Sequence, residues 1–251
     1  IEIPSRHLGL VQAADLAASG ALEPMIDKAA ELVAAYLDLG AIEAAFAGIA
    51  APETGPALLP PPGQRIAIAR DAAFGFSYEH LMAGWRDAGA KIMNFSPLAD
   101  EAPPPNADFI FLPGGYPELH LPKLSRAGNF LGGLRAAAER GTRIYGECGG
   151  YMVLGETIID AEGASYPMAG LLALETSFAN RKLHLGYRRM TPLAQAWPGL
   201  EPVTGHEFHY TSATRAEGDP LFAVSDAAGR DLGTMGLVRG SVAGSYAHII
   251  A

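Results

Sequence analysis

Between Leu22 and Leu39 apolar side chains return at helical spacing, at Leu22, Met25, Ile26, Ala29, Leu32, Val33 and Tyr36. The spacing predicts a helix, with Glu23 and Asp27 toward the positive end of its dipole and Gly40 as its stop. A single helix does not bury its own apolar stripe, so this segment requires a partner surface. Ahead of it, Ile3 to Val11 reads as a short strand and turn. Behind it, residues 51–64 are rich in Pro and Gly and end Leu59-Pro60-Pro61-Pro62-Gly63. That run neither continues a helix nor pairs as a central strand, and it predicts an extended linker.

From Arg65 the pattern changes to alternating strands and helices. Arg65 to Ala69, Lys91 to Ser96, Asp108 to Leu112 and Arg143 to Gly146 read as strands. Tyr78 to Ala88 and Asn129 to Arg140 read as helices stopped by Gly89 and Gly141, and another helix begins at Gly149. Asp108 to Leu112 is of the fully buried kind, covered on both faces. This order predicts an α/β domain with a mainly parallel sheet, in which ligands sit beyond the carboxyl ends of the strands. Residues from about 158 onward are more strand-rich and less regular, and Gly240 to Ile250 reads as a late strand. The chain therefore divides into residues 1–50, a linker over 51–64 and a domain over 65–251.

Composition narrows the function classes. Of 251 residues, 49% are hydrophobic and 18% charged, enough apolar surface for a sizeable core. The net charge of -9 argues against a nucleic-acid partner, which needs clustered Lys and Arg. No apolar run approaches the roughly 20 residues that span a bilayer, so no membrane partner is expected. The one cysteine forms no internal disulfide and fits a reducing cytoplasm. No metal site is expected in these residues.

That cysteine lies in the most informative segment, Gly146-Glu147-Cys148-Gly149-Gly150, between a strand and a helix. This is a G-x-C-x-G form of the nucleophile elbow. The turn lifts the side chain above the sheet, which strains the backbone and demands small neighbours. The helix start behind it offers N–H groups to a thiolate or an oxyanion. An isolated cysteine is more often a small buried hydrophobe; the pentapeptide is what points to catalysis. Gly114 and Gly115 follow a buried strand in the same way, and the N–H groups of Gly115 and Gly149 are candidates for an oxyanion hole. A thiol nucleophile also needs a base. His206, His209 and His248 are the candidates, and position alone does not choose among them.

The ordered stretches Gly114-Gly115-Tyr116-Pro117-Glu118, Glu147-Cys148-Gly149-Gly150, Leu185-Gly186-Tyr187-Arg188, Gly205-His206-Glu207-Phe208-His209-Tyr210 and Ser245-Tyr246-Ala247-His248 resemble the class I, triad-type glutamine amidotransferase domain of the corrinoid amidases, in its a,c-diamide branch. The resemblance implies a flavodoxin-like fold for residues 65–251, Cys148 as nucleophile and His248 as its base. Tyr116, Glu147, His206, Glu207 and His209 would line the glutamine pocket or face a partner domain. Residues 1–50 resemble the end of a dethiobiotin-synthetase-like, P-loop synthetase domain. This chain has no G-x-x-x-x-G-K-[ST] sequence, so the resemblance implies ATP, Mg²⁺ and the corrin substrate in a domain outside it, with glutamine as the ligand here. Many relatives carry a carboxylate two residues after the histidine. Ile250 stands there, which suits a Cys–His dyad and leaves the group that orients His248 unassigned. The rivals are the branch that amidates other corrin carboxylates and a non-catalytic binding module that retains the fold.

Overall fold

A computed structural model describes residues 13–46, 48 and 59–250. The strand and turn expected at Ile3 to Val11 lie outside the described residues. The chain forms two units, Ile1–Pro56 and Ala57–Ala251.

The first unit holds α1 (Ala13–Ala18), α2 (Leu22–Tyr36) and α3 (Leu39–Phe46). Here the expected stop at Gly40 is corrected. α2 ends at Tyr36, Leu37 turns extended, and the Asp38 carboxylate accepts the Ala41 N–H at 2.9 Å. An aspartate capping a new helix outweighs the glycine signal one turn later, so Gly40 sits inside α3. No residue of α2 is buried; Leu32 is half-buried and Val33 exposed, so the apolar stripe stands largely uncovered.

In the second unit β1 (Arg65–Ala69), β2 (Lys91–Phe95), β3 (Phe109–Leu112) and β4 (Arg143–Glu147) alternate with α4 (Glu79–Asp87), α5 (Leu121–Leu124), α6 (Gly128–Glu139) and α7 (Gly149–Leu154). Alternate residues explain why the strands read as continuous apolar runs. Ile66, Ile68, Phe109 and Phe111 join Leu81, Met82 and Trp85 of α4 in one core, while Ala67, Ala69, Ile110 and Leu112 join Phe130, Leu131 and Leu134 of α6 in the other. Each such large side chain contributes about 1.5–3 kcal/mol by leaving water. The described end of the proline stretch packs here as well. Pro62 is buried, and Trp85 Nε1 donates to the Leu59 carbonyl at 3.1 Å.

Strands β5 (Thr157–Ile159), β6 (Ser165–Pro167), β7 (Ala173–Ser177) and β10 (Ser212–Glu217) form a separate four-stranded sheet. The main sheet is completed by β8 (His184–Pro192), β9 (Val203–His209), β11 (Asp219–Ser225), β12 (Asp231–Arg239), β13 (Val242–Ser245) and β14 (His248–Ile249). Its order is β14-β9-β8-β11-β12-β13-β4-β3-β1-β2. The core from β13 to β2 is parallel, as expected, and the other pairings are antiparallel.

The late strand expected from Gly240 to Ile250 is broken. β13 ends at Ser245 and β14 begins at His248, although four strands lie between them in the sheet. Chain from Ser245 to His248 reaches at most about 11 Å, so the antiparallel wing must curl back on the parallel core. The closing contact is direct, with Ile249 N donating to Glu147 Oε1 at 3.0 Å. This curl brings His248 to the carboxyl end of β4.

Candidate active site

Cys148 follows β4 and opens α7 with φ 48 and ψ -108. Asp100 is the one other non-glycine with positive φ among the described residues. Such strain persists only where the surroundings over-determine it. Those surroundings are tight: Cys148 N donates to Ser245 O at 2.9 Å, Met152 N donates to Cys148 O at 3.1 Å, and a Cβ on Gly150 would stand 1.9 Å from the Leu112 carbonyl oxygen.

His248 meets this elbow across Gly114. The point where a Gly114 Cβ would stand lies 2.3 Å from His248 Cε1, 3.2 Å from its Nε2 and 3.3 Å from Cys148 Cβ. The Cε1–Nε2 edge of the imidazole and the Cys148 side chain thus both border Gly114. On the other side, Nδ1 lies 3.9 Å from Glu147 Oε2. His206 is opposite His248 in the β9–β14 ladder and stacks on it at 4.8 Å between ring centroids, with planes 8° apart. The Tyr78 hydroxyl bonds His206 Nε2, and the Tyr78 ring stands edge-on to both imidazoles. Pattern reasoning missed Gly114 as a spacer and Tyr78 as a clamp. The small-residue pair after β3 and the aromatic segment at Phe74 to Tyr78 were the available signals.

The remaining candidates separate. Gly115 and Gly149 are neighbours, with Gly115 N 3.2 Å from the position of a Gly149 Cβ. Tyr116 is buried, its ring edge-on to Phe76 at 5.0 Å. Glu207 and His209 alternate with His206 along β9 and form another network. Arg188 reaches Glu207 Oε2 through Nε at 2.7 Å and Nη2 at 2.6 Å, and His209 Nε2 lies 3.0 Å from Glu207 Oε1. His209 also stacks on Tyr246 at 3.8 Å. Glu207, His209 and Tyr246 border a cavity of about 520 Å³ together with Tyr151 and His184. Burial pushes the Glu207 carboxyl up, but the His209 bond and the Arg188 charge outweigh it and hold it below its ordinary value.

Around Cys148 burial dominates. It lifts the Cys148 thiol to about 12, aided by Glu118, while the Gly149 N–H favours the thiolate. It holds His248 down to about 3, aided by His206 and His209, and lifts Glu147 to about 8 against the Ile249 N–H. Burial thus favours the protonated thiol and the neutral imidazole at neutral pH.

These shifts set a stability profile. From pH 3 to 4.5 the unfolded chain keeps both the Glu147 and the His248 proton and the folded protein one, so stability rises with pH. Between 4.5 and 6.5 both states hold one proton and these groups add no slope. From 6.5 to 8 the folded protein keeps a proton that the unfolded chain has lost, and stability falls by about 1.4 kcal/mol per pH unit. Urea unfolding midpoints across this range test it. Glu147→Gln is expected to remove the fall above pH 6.5, and an unchanged alkaline slope in that variant would count against the assignment.

A buried thiol on a strained strand-to-helix turn, with an imidazole and two loop glycines beside it, has the parts needed for acyl transfer. Residues 65–251 match the family described as CobB/CobQ-like glutamine amidotransferase domain. The chain belongs to that amidotransferase family. Among curated relatives, the amidotransferase chain is 54% identical over 251 residues to hydrogenobyrinate a,c-diamide synthase of Rhizobium meliloti (strain 1021), covering 100% of this chain and 57% of the relative. It is 56% identical over 255 residues to the enzyme of the same name from Sinorhizobium sp, with the same coverage of 100% and 57%. The chain thus spans 57% of the length of these relatives. A solved glutamine amidotransferase crystal structure aligns with 14% identity and a TM-score of 0.49, covering 73% of this chain and 89% of that one.

Proposed function

We propose that residues 65–251 hydrolyse glutamine and deliver ammonia to an ATP-dependent amidation of the corrin a and c carboxylates, and that residues 1–50 are the end of the synthetase domain which performs it. The observation that carries this reading is the strained Cys148 and the imidazole of His248 meeting at Gly114. The names of the longer relatives support the a,c-diamide branch over the one amidating other carboxylates. ATP and Mg²⁺ would be held outside these residues, which contain no P-loop sequence.

In the proposed reaction Cys148 passes its proton to His248, and its sulfur bonds to the glutamine side-chain amide carbon. The oxygen of that carbon takes the negative charge between the N–H groups of Gly115 and Gly149; one such donor is worth about 2.7–4 kcal/mol of barrier. His248 then gives its proton to the nitrogen as the C–N bond breaks, releasing ammonia and leaving a thioester. His248 takes a proton from water, the oxygen attacks the thioester, and glutamate leaves as Cys148 regains its proton.

The test is glutamate release by this chain alone and by the full-length protein with ATP, Mg²⁺ and hydrogenobyrinate. Slow hydrolysis without amidation by the chain, and faster hydrolysis coupled to amidation in the full-length protein, are expected. Absence of glutamate release in both would refute the reading.

A further inference from the structure

Position 250, where many relatives of the resembled class carry a carboxylate, holds Ile250, so the sequence around His248 offers no partner for its Nδ1. The fold supplies one from another element. β4 ends at Glu147, and the curl of the wing lays β14 against that end. Glu147 and His248 are each 2% exposed. Glu147 uses Oε1 for the Ile249 N–H, whereas Oε2 and His248 Nδ1 have no hydrogen-bond partner among the described residues and stand 3.9 Å apart. Two complementary orphans facing each other in a dry site are a costly arrangement unless they meet during function. A carboxylate rotation of about 1 Å closes the gap to hydrogen-bond distance while Oε1 keeps its bond, and catalytic hydrogen bonds commonly tighten only with substrate bound.

We propose that Glu147 is the positioning residue for His248, its buried carboxyl group accepting Nδ1–H through Oε2 so that the Cε1–Nε2 edge stays turned to the space beside Gly114 and Cys148. The assignment rests on the glutaminase reading above. It replaces the tentative place of Glu147 in the glutamine pocket or at a domain face, because its side chain lies behind the histidine.

The test is a double-mutant cycle in the full-length protein, with glutaminase kcat and KM as one readout and mass added to Cys148 by a glutamine-like chloroketone as the other, so that slow variants remain measurable. Glu147→Gln keeps the Ile249 bond but turns an amide N–H₂ toward Nδ1. It is expected to lower kcat and the alkylation rate at least about 100-fold with KM within twofold, as misorientation of a catalytic imidazole does. In a His248→Ala background the same substitution is expected to change alkylation less than threefold. A rate within threefold of native for Glu147→Gln, or an equal loss with and without His248, overturns the assignment. A readout on the unaltered protein guards against misfolding of the variant: ¹⁵N spectra are expected to show His248 as the Nδ1–H tautomer, and the Nε2–H tautomer overturns it. If Cys148→Ala and His248→Ala both hydrolyse glutamine at the native rate, the glutaminase reading itself falls and this assignment with it.

Discussion

Replacing Cys148 with alanine is expected to lower glutamine hydrolysis by at least about 10⁴-fold while leaving amidation driven by free ammonia within twofold in the full-length protein. The first effect follows from covalent chemistry: without sulfur no thioester forms, and removing a nucleophile leaves the modest acceleration due to binding and the oxyanion donors. The second follows from location. Cys148 is 6% exposed, and its side chain touches the Phe208 carbonyl at 4.0 Å, so alanine removes one weak contact and inserts nothing. The strained φ of 48 is retained by alanine, and the backbone bonds to Ser245 and Met152 remain. Parallel assays of glutamate release and of ammonia-driven amidation separate the two roles. Loss of both in Cys148→Ala would mean that the thiol is structural and that the proposed chemistry is wrong.

The elbow was legible in the sequence because its requirements are local. A strand, a nucleophile and a helix start follow one another in five residues, and glycines mark where no Cβ fits. The parallel core was legible for the same reason, since strand and helix alternate within windows of ten residues. What escaped was whatever depends on chain returning from far away. Gly240 to Ile250 reads as one strand because Val242, Ala243, Ala247 and Ile249 are all apolar; the break at Tyr246 is dictated by the closure of the wing, a constraint spread over β8 to β12. The role of Glu147 was hidden likewise, since its partners Ile249 and His248 lie a hundred residues on. Strand alternation along β9 did hold usable information. It puts His206 on the opposite face from Glu207 and His209, which is how the structure divides them.

Gly114→Ala is expected to lower glutaminase kcat by at least about 100-fold and to cost about 1–3 kcal/mol of stability. Gly114 does not have positive φ, so the penalty is one of space rather than backbone conformation. A methyl group there would stand 2.3 Å from His248 Cε1, well inside contact distance, so the imidazole or the loop must move. The ring has little room to retreat. His206 is stacked on one face, Tyr78 meets it edge-on, and the β14 backbone is fixed by the Ile249 bond to Glu147. The loop is also tethered, with Phe76 N donating to Gly114 O at 2.9 Å, and a Cβ on Gly115 would stand 2.1 Å from the Ala73 carbonyl oxygen. Overpacking in such a site costs about 1–3 kcal/mol, and a displacement of about 1 Å between reacting groups costs about 100-fold in rate. Gly128→Ala is the control, because no atom lies within 4 Å of its Cβ position, and it is expected to leave kcat unchanged and stability equal or slightly higher. The measurements are kcat for glutamate release and urea midpoints for both variants. Native turnover in Gly114→Ala would show that His248 need not stand across Gly114 from Cys148 for the enzyme to work, and would remove the geometric basis for pairing them.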